Sequence, residues 1–219
     1  MVEELDVEAF RASLLQWWQM NRRAYPWRTT RDPYAILVAE ALLHRTRADQ
    51  VRGIYERFLQ QYPGIRELAR ADPTELHELV YSAGLRWRIG LLLEAAREIA
   101  RRFGGEIPRD RAVLESLPGV GPYISAAVRC FAFGEADAIV DSNVVRVYAR
   151  VFNLHVTDQL RRAPGFHRLA AGIVDPEHPQ EFNLAILDLA ALICKPRNPR
   201  CRECPVSSHC FYGRTVLSG

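Results

Sequence analysis

Four of the chain's five cysteines fall within 17 residues, in the order Cys194-(x6)-Cys201-(x2)-Cys204-(x5)-Cys210. Four thiolates crowded into one short loop repel one another unless a cation neutralises them, and disulfides are unusual in a cytosolic chain. The array therefore reads as a metal site. Structural zinc usually takes two short cysteine pairs parted by a longer insert. Here one short pair is flanked by two longer arms, which favours the wider girth of a [4Fe-4S] cluster and leaves zinc as the alternative. Cys130 stands apart, inside the apolar stretch AAVRCFAF, and reads as a buried core residue.

A second group of residues suits phosphate rather than metal. In Leu117-Pro118-Gly119-Val120-Gly121-Pro122 two glycines allow a tight turn and a close approach of the backbone, and the proline opens a helix whose first N–H groups point outward. Gly119, Val120 and Gly121 are the candidate phosphate contacts, although any two helices need a connection and such a turn is weak evidence by itself. Twenty residues beyond Gly121, the apolar run Ala138-Ile139-Val140 delivers Asp141 to the start of SNVVRVYARVF. Aspartate there is a favoured helix N-cap; a carboxylate near such a turn can equally stabilise positive charge on a sugar or activate a water. Amine chemistry is nearly excluded. Of 29 basic side chains only Lys195 is a lysine, and arginine does not act as an amine nucleophile.

Helices must position these groups. Helical periodicity runs through about 5–20, 33–45, 47–62, 73–81, 87–103, 111–117, 122–133, 142–153, 159–173 and 180–193, with no clean alternating strand. Asp32-Pro33, Asp72-Pro73 and Gly121-Pro122 each put proline in a first turn, where its missing N–H costs nothing. At 219 residues the chain can bury a core without disulfides. No apolar stretch approaches the ~20 residues of a membrane span, and the acidic N-terminus is not a secretion signal, so a cytoplasmic protein is expected. The net charge of +3 is uneven: residues 194–219 carry +4 and the rest −1, which suits a phosphate backbone lying near the C-terminal loop.

Taken together, LPGVG, the downstream Asp141 and the C-terminal cysteine array resemble the helix-hairpin-helix DNA glycosylase superfamily that includes endonuclease III and the adenine glycosylase MutY. The likeness covers nearly the whole chain. It extends to Tyr25-Pro26-Trp27-Arg28, Asp32-Pro33-Tyr34 and Ala39-Glu40-Ala41-Leu42-Leu43-His44-Arg45-Thr46, which are most similar to the thermophilic thymine–guanine mismatch glycosylases. It implies an all-α, two-domain endonuclease III-like fold. A six-helix barrel with the helix-hairpin-helix would span 29–136, and 1–28 would join 137–219 in a domain whose loop 194–210 carries the [4Fe-4S] cluster. Double-stranded DNA containing a mismatch would lie across the cleft between them, bound by a monomer.

The resemblance also implies roles. The family's catalytic carboxylate falls on Asp141. Strand-cleaving members place a lysine two residues after the hairpin, where this chain has Tyr123, so a monofunctional enzyme is expected. The thymine–guanine branch keeps a glutamate matching Glu40, expected to act on the leaving base or its water, with an exposed helical glutamate as the plain alternative. Tyr123 would stack on or hydrogen-bond the flipped base. Leu85 would be the wedge, beside Arg86 and Trp87, and His44 or Arg45 would fill the gap left by the base; otherwise Leu85 is core and Trp87 a packing aromatic. A MutY-like adenine glycosylase is the nearest rival, disfavoured because MutY usually carries a further domain and only nine residues follow Cys210. A non-catalytic iron–sulfur DNA-binding protein is the rival of another class.

Overall fold

The computed structural model describes residues 6–43, 46–81, 86–157 and 159–218, with Arg86 by its backbone alone. Among the described residues every regular element is helical, and none of the helices is long and apolar enough to cross a membrane. The chain forms two compact units, Ala24–Glu135 and Met1–Arg23 with Ala136–Gly219.

The first unit is built around α2 (Pro33–Leu43), which is surrounded by α3 (Ala48–Gln61), α6 (Arg86–Phe103) and α8 (Pro122–Phe133). The sequence PYAILVAEALL is apolar on all sides, and a helix of that kind belongs at the centre of a core. Every residue from Tyr34 to Leu42 is indeed buried. By contrast α3 is amphipathic, burying Val51, Ile54, Tyr55 and Phe58 at helical spacing and leaving its polar face to water. Three shorter helices complete the unit: α4 (Ile65–Ala69), α5 (Pro73–Leu79) and α7 (Arg111–Glu115). Asp72 caps α5 through the N–H of Thr74 at 2.7 Å, and Asp110 caps α7 through the N–H of Val113 at 2.9 Å.

The second unit packs α1 (Val7–Asn21) on α11 (Pro179–Leu192), and α11 on α9 (Ser142–Val151), with α10 (Pro164–Ile173) and α12 (Phe211–Ser218) completing it. Phe10, Leu14, Val144, Tyr148, Phe182 and Ile186 form the centre of its core, each worth about 1.5–3 kcal/mol of burial. One charge lies inside. The fully buried Asp188 accepts from Trp18 Nε1 at 3.0 Å and from Arg23 Nε at 2.6 Å, so its desolvation is offset by a paired guanidinium.

The helix boundaries expected from periodicity mostly lie within a few residues of these. The exceptions have local causes. The stretch 159–173 is broken, because Pro164 lacks the N–H needed to continue the 3-10 turn Leu160–Arg162 and instead opens α10. Two helices lie outside the expected stretches: α4, five residues opening after Gly64, and α12, which follows the cysteine loop. Cys130 is fully buried, as expected.

Candidate active site and cysteine loop

The glycine turn joins α7 to α8. Val120 N–H donates to Leu117 O at 3.1 Å, and Gly119 takes φ +73°, a conformation L side chains rarely adopt. A Cβ at Gly119 would also lie 2.9 Å from Leu91 Cβ, so this glycine lets the turn sit directly on α6. The Val120 side chain is buried in the core, which leaves only its backbone for any phosphate contact. Gly121 is exposed and caps α8 with no side chain to spend on the first-turn N–H groups, and Pro122 follows at the first helical position. Tyr123 is half-buried at the edge of the core on the next residue.

Beside this turn the unit opens a groove lined by Leu37, Ala41, Trp87, Leu91, Gly119 and Ile124. Trp87 is 61% exposed and stands with the Arg88 guanidinium 5.1 Å from its ring, so it is not a packing aromatic. Glu40 corrects the plain alternative in the other direction. On α2, between Ala39 and Ala41, Glu40 is only 5% exposed, a position that is costly for a carboxyl unless it is hydrogen-bonded or paired. His44, Arg45 and Leu85 lie outside the described residues, as does the Arg86 side chain.

In the other unit, Asn183 holds the segment that delivers Asp141: its Oδ1 accepts from Ile139 N–H at 3.0 Å, and its Nδ2 donates to Asp137 O at 2.9 Å and Pro179 O at 2.8 Å. Asp141 is the N-cap of α9. Its Oδ1 accepts from the N–H groups of Asn143 at 2.8 Å and Val144 at 2.7 Å, and its Oδ2 accepts from Asn143 Nδ2 at 2.7 Å. The cap and the candidate catalytic carboxylate are thus the same group, held at both oxygens.

The cysteine loop leaves the end of α11. Cys194 N–H donates to Leu189 O at 2.8 Å and Arg200 N–H to Ile193 O at 3.0 Å, while Cys201 and Cys210 border short 3-10 turns. Arg150 clasps the start of the loop, donating from Nη1 to Lys195 O at 2.8 Å and Cys194 Sγ at 3.2 Å, and from Nη2 to Pro196 O at 3.0 Å. Gly213 N–H donates to Cys210 Sγ at 3.3 Å, and a Cβ there would meet Ser207 O at 3.0 Å. All four thiols are free of disulfides. Burial pushes the Cys204 thiol up to about 12, with Cys210, Cys194 and Cys201 adding to the rise, and burial likewise raises Cys201 and Cys210. Four thiols close enough to feel one another, with N–H donors on two sulfurs, fit a bound cationic group.

Asn143, Arg146, Arg150, Asn183 and Gly213 were not singled out by sequence reasoning. The signal for three of them was present: Asn143, Arg146 and Arg150 recur at helical spacing along one face of α9.

A glycine hairpin between α7 and α8, a carboxylate capping α9 and a four-cysteine loop near the C-terminus, on a chain whose described elements are all helical, define a protein with the endonuclease III fold. An endonuclease III trapped on DNA has TM-score 0.81 at 24% identity, covering 98% of this chain and 100% of that one, a likeness of fold. The chain belongs to the HhH-GPD superfamily of base excision DNA repair proteins, whose family model matches residues 38–163. It is similar to a thymine/uracil-DNA glycosylase of Methanothermobacter thermautotrophicus, 38% identical over 94% of this chain and 93% of the relative. A thymine-DNA glycosylase of Aeropyrum pernix is 40% identical over 94% of this chain and 95% of the relative. A solved thermostable thymine-DNA glycosylase has TM-score 0.90 at 37% identity, covering 95% and 97% of the two chains. An adenine DNA glycosylase of Mus musculus is 37% identical over 98% of this chain but 44% of its own length.

Proposed function

We propose that the protein is a monofunctional DNA glycosylase that flips thymine or uracil out from opposite guanine, hydrolyses its N-glycosidic bond and leaves an abasic site. The observation that carries this reading is end-to-end similarity, at 38% and 40% identity, to relatives named for removing those bases. In this reading a mispaired pyrimidine is the least costly base to extrude from the stack. Ala24–Glu135, with α2 to α8 among its described residues, takes the part of the barrel domain in this reading, and Met1–Arg23 with Ala136–Gly219 that of the cluster domain.

As the N-glycosidic bond breaks, positive charge grows on the sugar. The Asp141 carboxylate stabilises it and guides the water that adds to the sugar carbon. Glu40, inside α2, supplies a proton to the leaving base or positions that water. Tyr123 stacks on or hydrogen-bonds the flipped base. Exposed backbone at Gly119 and Gly121, with the backbone of Val120, receives a phosphate, and Trp87 and Arg86 lie along the DNA with the wedge Leu85 and the gap-filling His44 or Arg45. Cys194, Cys201, Cys204 and Cys210 are the residues that would hold a [4Fe-4S] cluster, which would supply a rigid centre for the basic loop 195–202. With Tyr123 in place of lysine, and Lys195 the chain's only lysine, no side-chain amine is placed to form a Schiff base.

The near-equal identity to the mouse adenine glycosylase keeps adenine removal as the second reading. One panel of T·G, U·G and A·oxidised-G duplexes separates the two, with products run on a gel with and without alkali. Release of thymine and uracil, with strand breaks only after alkali, is the expected result. Release confined to adenine would establish the rival, and breaks without alkali would overturn the monofunctional assignment.

A further inference from the structure

We propose that the apolar groove beside the glycine hairpin is a second nucleobase site, which takes an unpaired base of the strand whose phosphate the hairpin holds. The proposal rests on that phosphate seat and stands whichever base the enzyme excises. The groove lies wholly within Ala24–Glu135. Leu37 and Ala41 of α2, Leu91 of α6, Ile124 of α8 and the hairpin residue Gly119 wall it, and the first turn of α6 adds Trp87 and Arg88. Among the described residues that line it none is acidic, and neither Glu40 nor Tyr123 is one of them. It is therefore separate from the groups assigned to the target base.

Shape, charge and continuity with the hairpin select this occupant. Trp18 and Trp27 are buried and Trp17 is half-buried, but Trp87 is 61% exposed, so its ring offers water a broad π-face at the mouth of an apolar groove. A flat base with apolar faces fits such a surface, and stacking on an aromatic ring is favourable for every base. The Arg88 guanidinium, 5.1 Å from the Trp87 ring, gives the groove a positive charge, which complements a phosphodiester strand. Gly119 carries no Cβ and sits directly against Leu91, which shares a face of α6 with Trp87 one turn, about 5.4 Å, away. A phosphate on the hairpin and a base against Trp87 are thus within reach of one nucleotide. In a duplex the faces of the bases are taken up by stacking, so the groove serves unpaired or locally melted DNA and holds it beside the hairpin.

The test uses the full-length, cluster-loaded protein and strands without thymine or uracil, which are not cut. Dissociation constants for a short oligo(dC) and for an abasic strand of the same length are measured by fluorescence anisotropy, with tryptophan emission followed in parallel, for wild type, Trp87→Leu, Trp87→Phe and Gly121→Ala. An oligo(dC) bearing one 5-iodocytosine is photocrosslinked to the wild type and the site is read by mass spectrometry. Oligo(dC) is expected to bind about 10- to 100-fold tighter than the abasic strand and to quench the emission. Trp87→Leu removes most of that advantage and of the quenching, Trp87→Phe keeps the advantage within about 3-fold, and the crosslink falls within 87–92 or 118–124. Because Trp87 is exposed, neither substitution disturbs the core, and melting temperatures verify that both variants fold. Gly121→Ala weakens both strands alike, since it obstructs the phosphate they share. Equal affinity for the two strands, an advantage that survives Trp87→Leu, or a crosslink outside the groove overturns the second site and leaves base release from mismatched duplexes untouched. Unchanged binding of both strands by Gly121→Ala removes the phosphate seat, and the inference falls with it.

Discussion

Replacing Gly119 with alanine tests whether the hairpin owes its shape to backbone conformation or to sequence habit. Two costs follow from the structure. A φ of +73° strains an L residue by roughly 1–2 kcal/mol, and the new Cβ, 2.9 Å from Leu91 Cβ, falls well inside the 3.5–4.0 Å of a comfortable carbon contact. Overpacking of that kind typically costs about 1–3 kcal/mol, while the stiffer unfolded chain returns about 0.4–1 kcal/mol. The net is roughly 2–4 kcal/mol, which corresponds to a fall in melting temperature of roughly 4–15 °C for a chain of this size. Circular dichroism melts of the cluster-loaded protein measure it. Two further variants make the reasoning refutable. Leu91→Ala in the Gly119→Ala background gives little relief, because the atom in the way is the Cβ that alanine retains. Gly121→Ala leaves the melting temperature nearly unchanged, since its φ of −88° is ordinary and a Cβ there meets nothing within 4 Å, yet its methyl would obstruct a phosphate and weaken DNA binding. If Gly119→Ala melts with wild type, or Gly121→Ala falls as far, the division of labour between the two glycines is wrong.

Other expectations concern separate parts of the molecule. Arg23→Met leaves the fully buried Asp188 without its guanidinium and is expected to cost about 3 kcal/mol in urea unfolding, the low end for a broken buried pair because Arg23 is 31% exposed; a shift below about 1 kcal/mol would show that the pair contributes little. Glu40→Gln preserves the fold and DNA affinity and lowers single-turnover base release at least about 100-fold, and an unchanged rate would remove Glu40 from the chemistry. Tyr123→Lys puts an amine two residues beyond Gly121 and is expected to yield a borohydride-trapped covalent adduct and nicked DNA. Failure to trap any adduct with an otherwise active variant would mean that position 123 does not reach the sugar.

Much of this protein is written in short-range patterns. The all-helical character, the prolines opening α5 and α8, the glycine turn and the crowding of four cysteines depend on residues within a few positions of one another, and local sterics and charge repulsion make them legible. The family likeness rests on the same local motifs, and their order along the chain makes the combination specific. Spacing could not decide what each candidate residue touches. Glu40 reads as a candidate catalytic group or as a solvated helical residue, and only the packing of α3, α6 and α8 around α2 buries it. Trp87 reads as a DNA-facing residue or as a packing aromatic, and only the tertiary structure leaves it exposed beside a groove. Asp141 reads as a cap or as a catalytic group, and it is the cap, held at Oδ1 by two backbone N–H groups and at Oδ2 by the Asn143 side chain, on a segment that Asn183 fixes from 44 residues beyond Ile139. Burial and long-range hydrogen bonds depend on which surfaces meet, a property of the folded chain as a whole, and so the sequence by itself named the groups while the tertiary structure determined their surroundings.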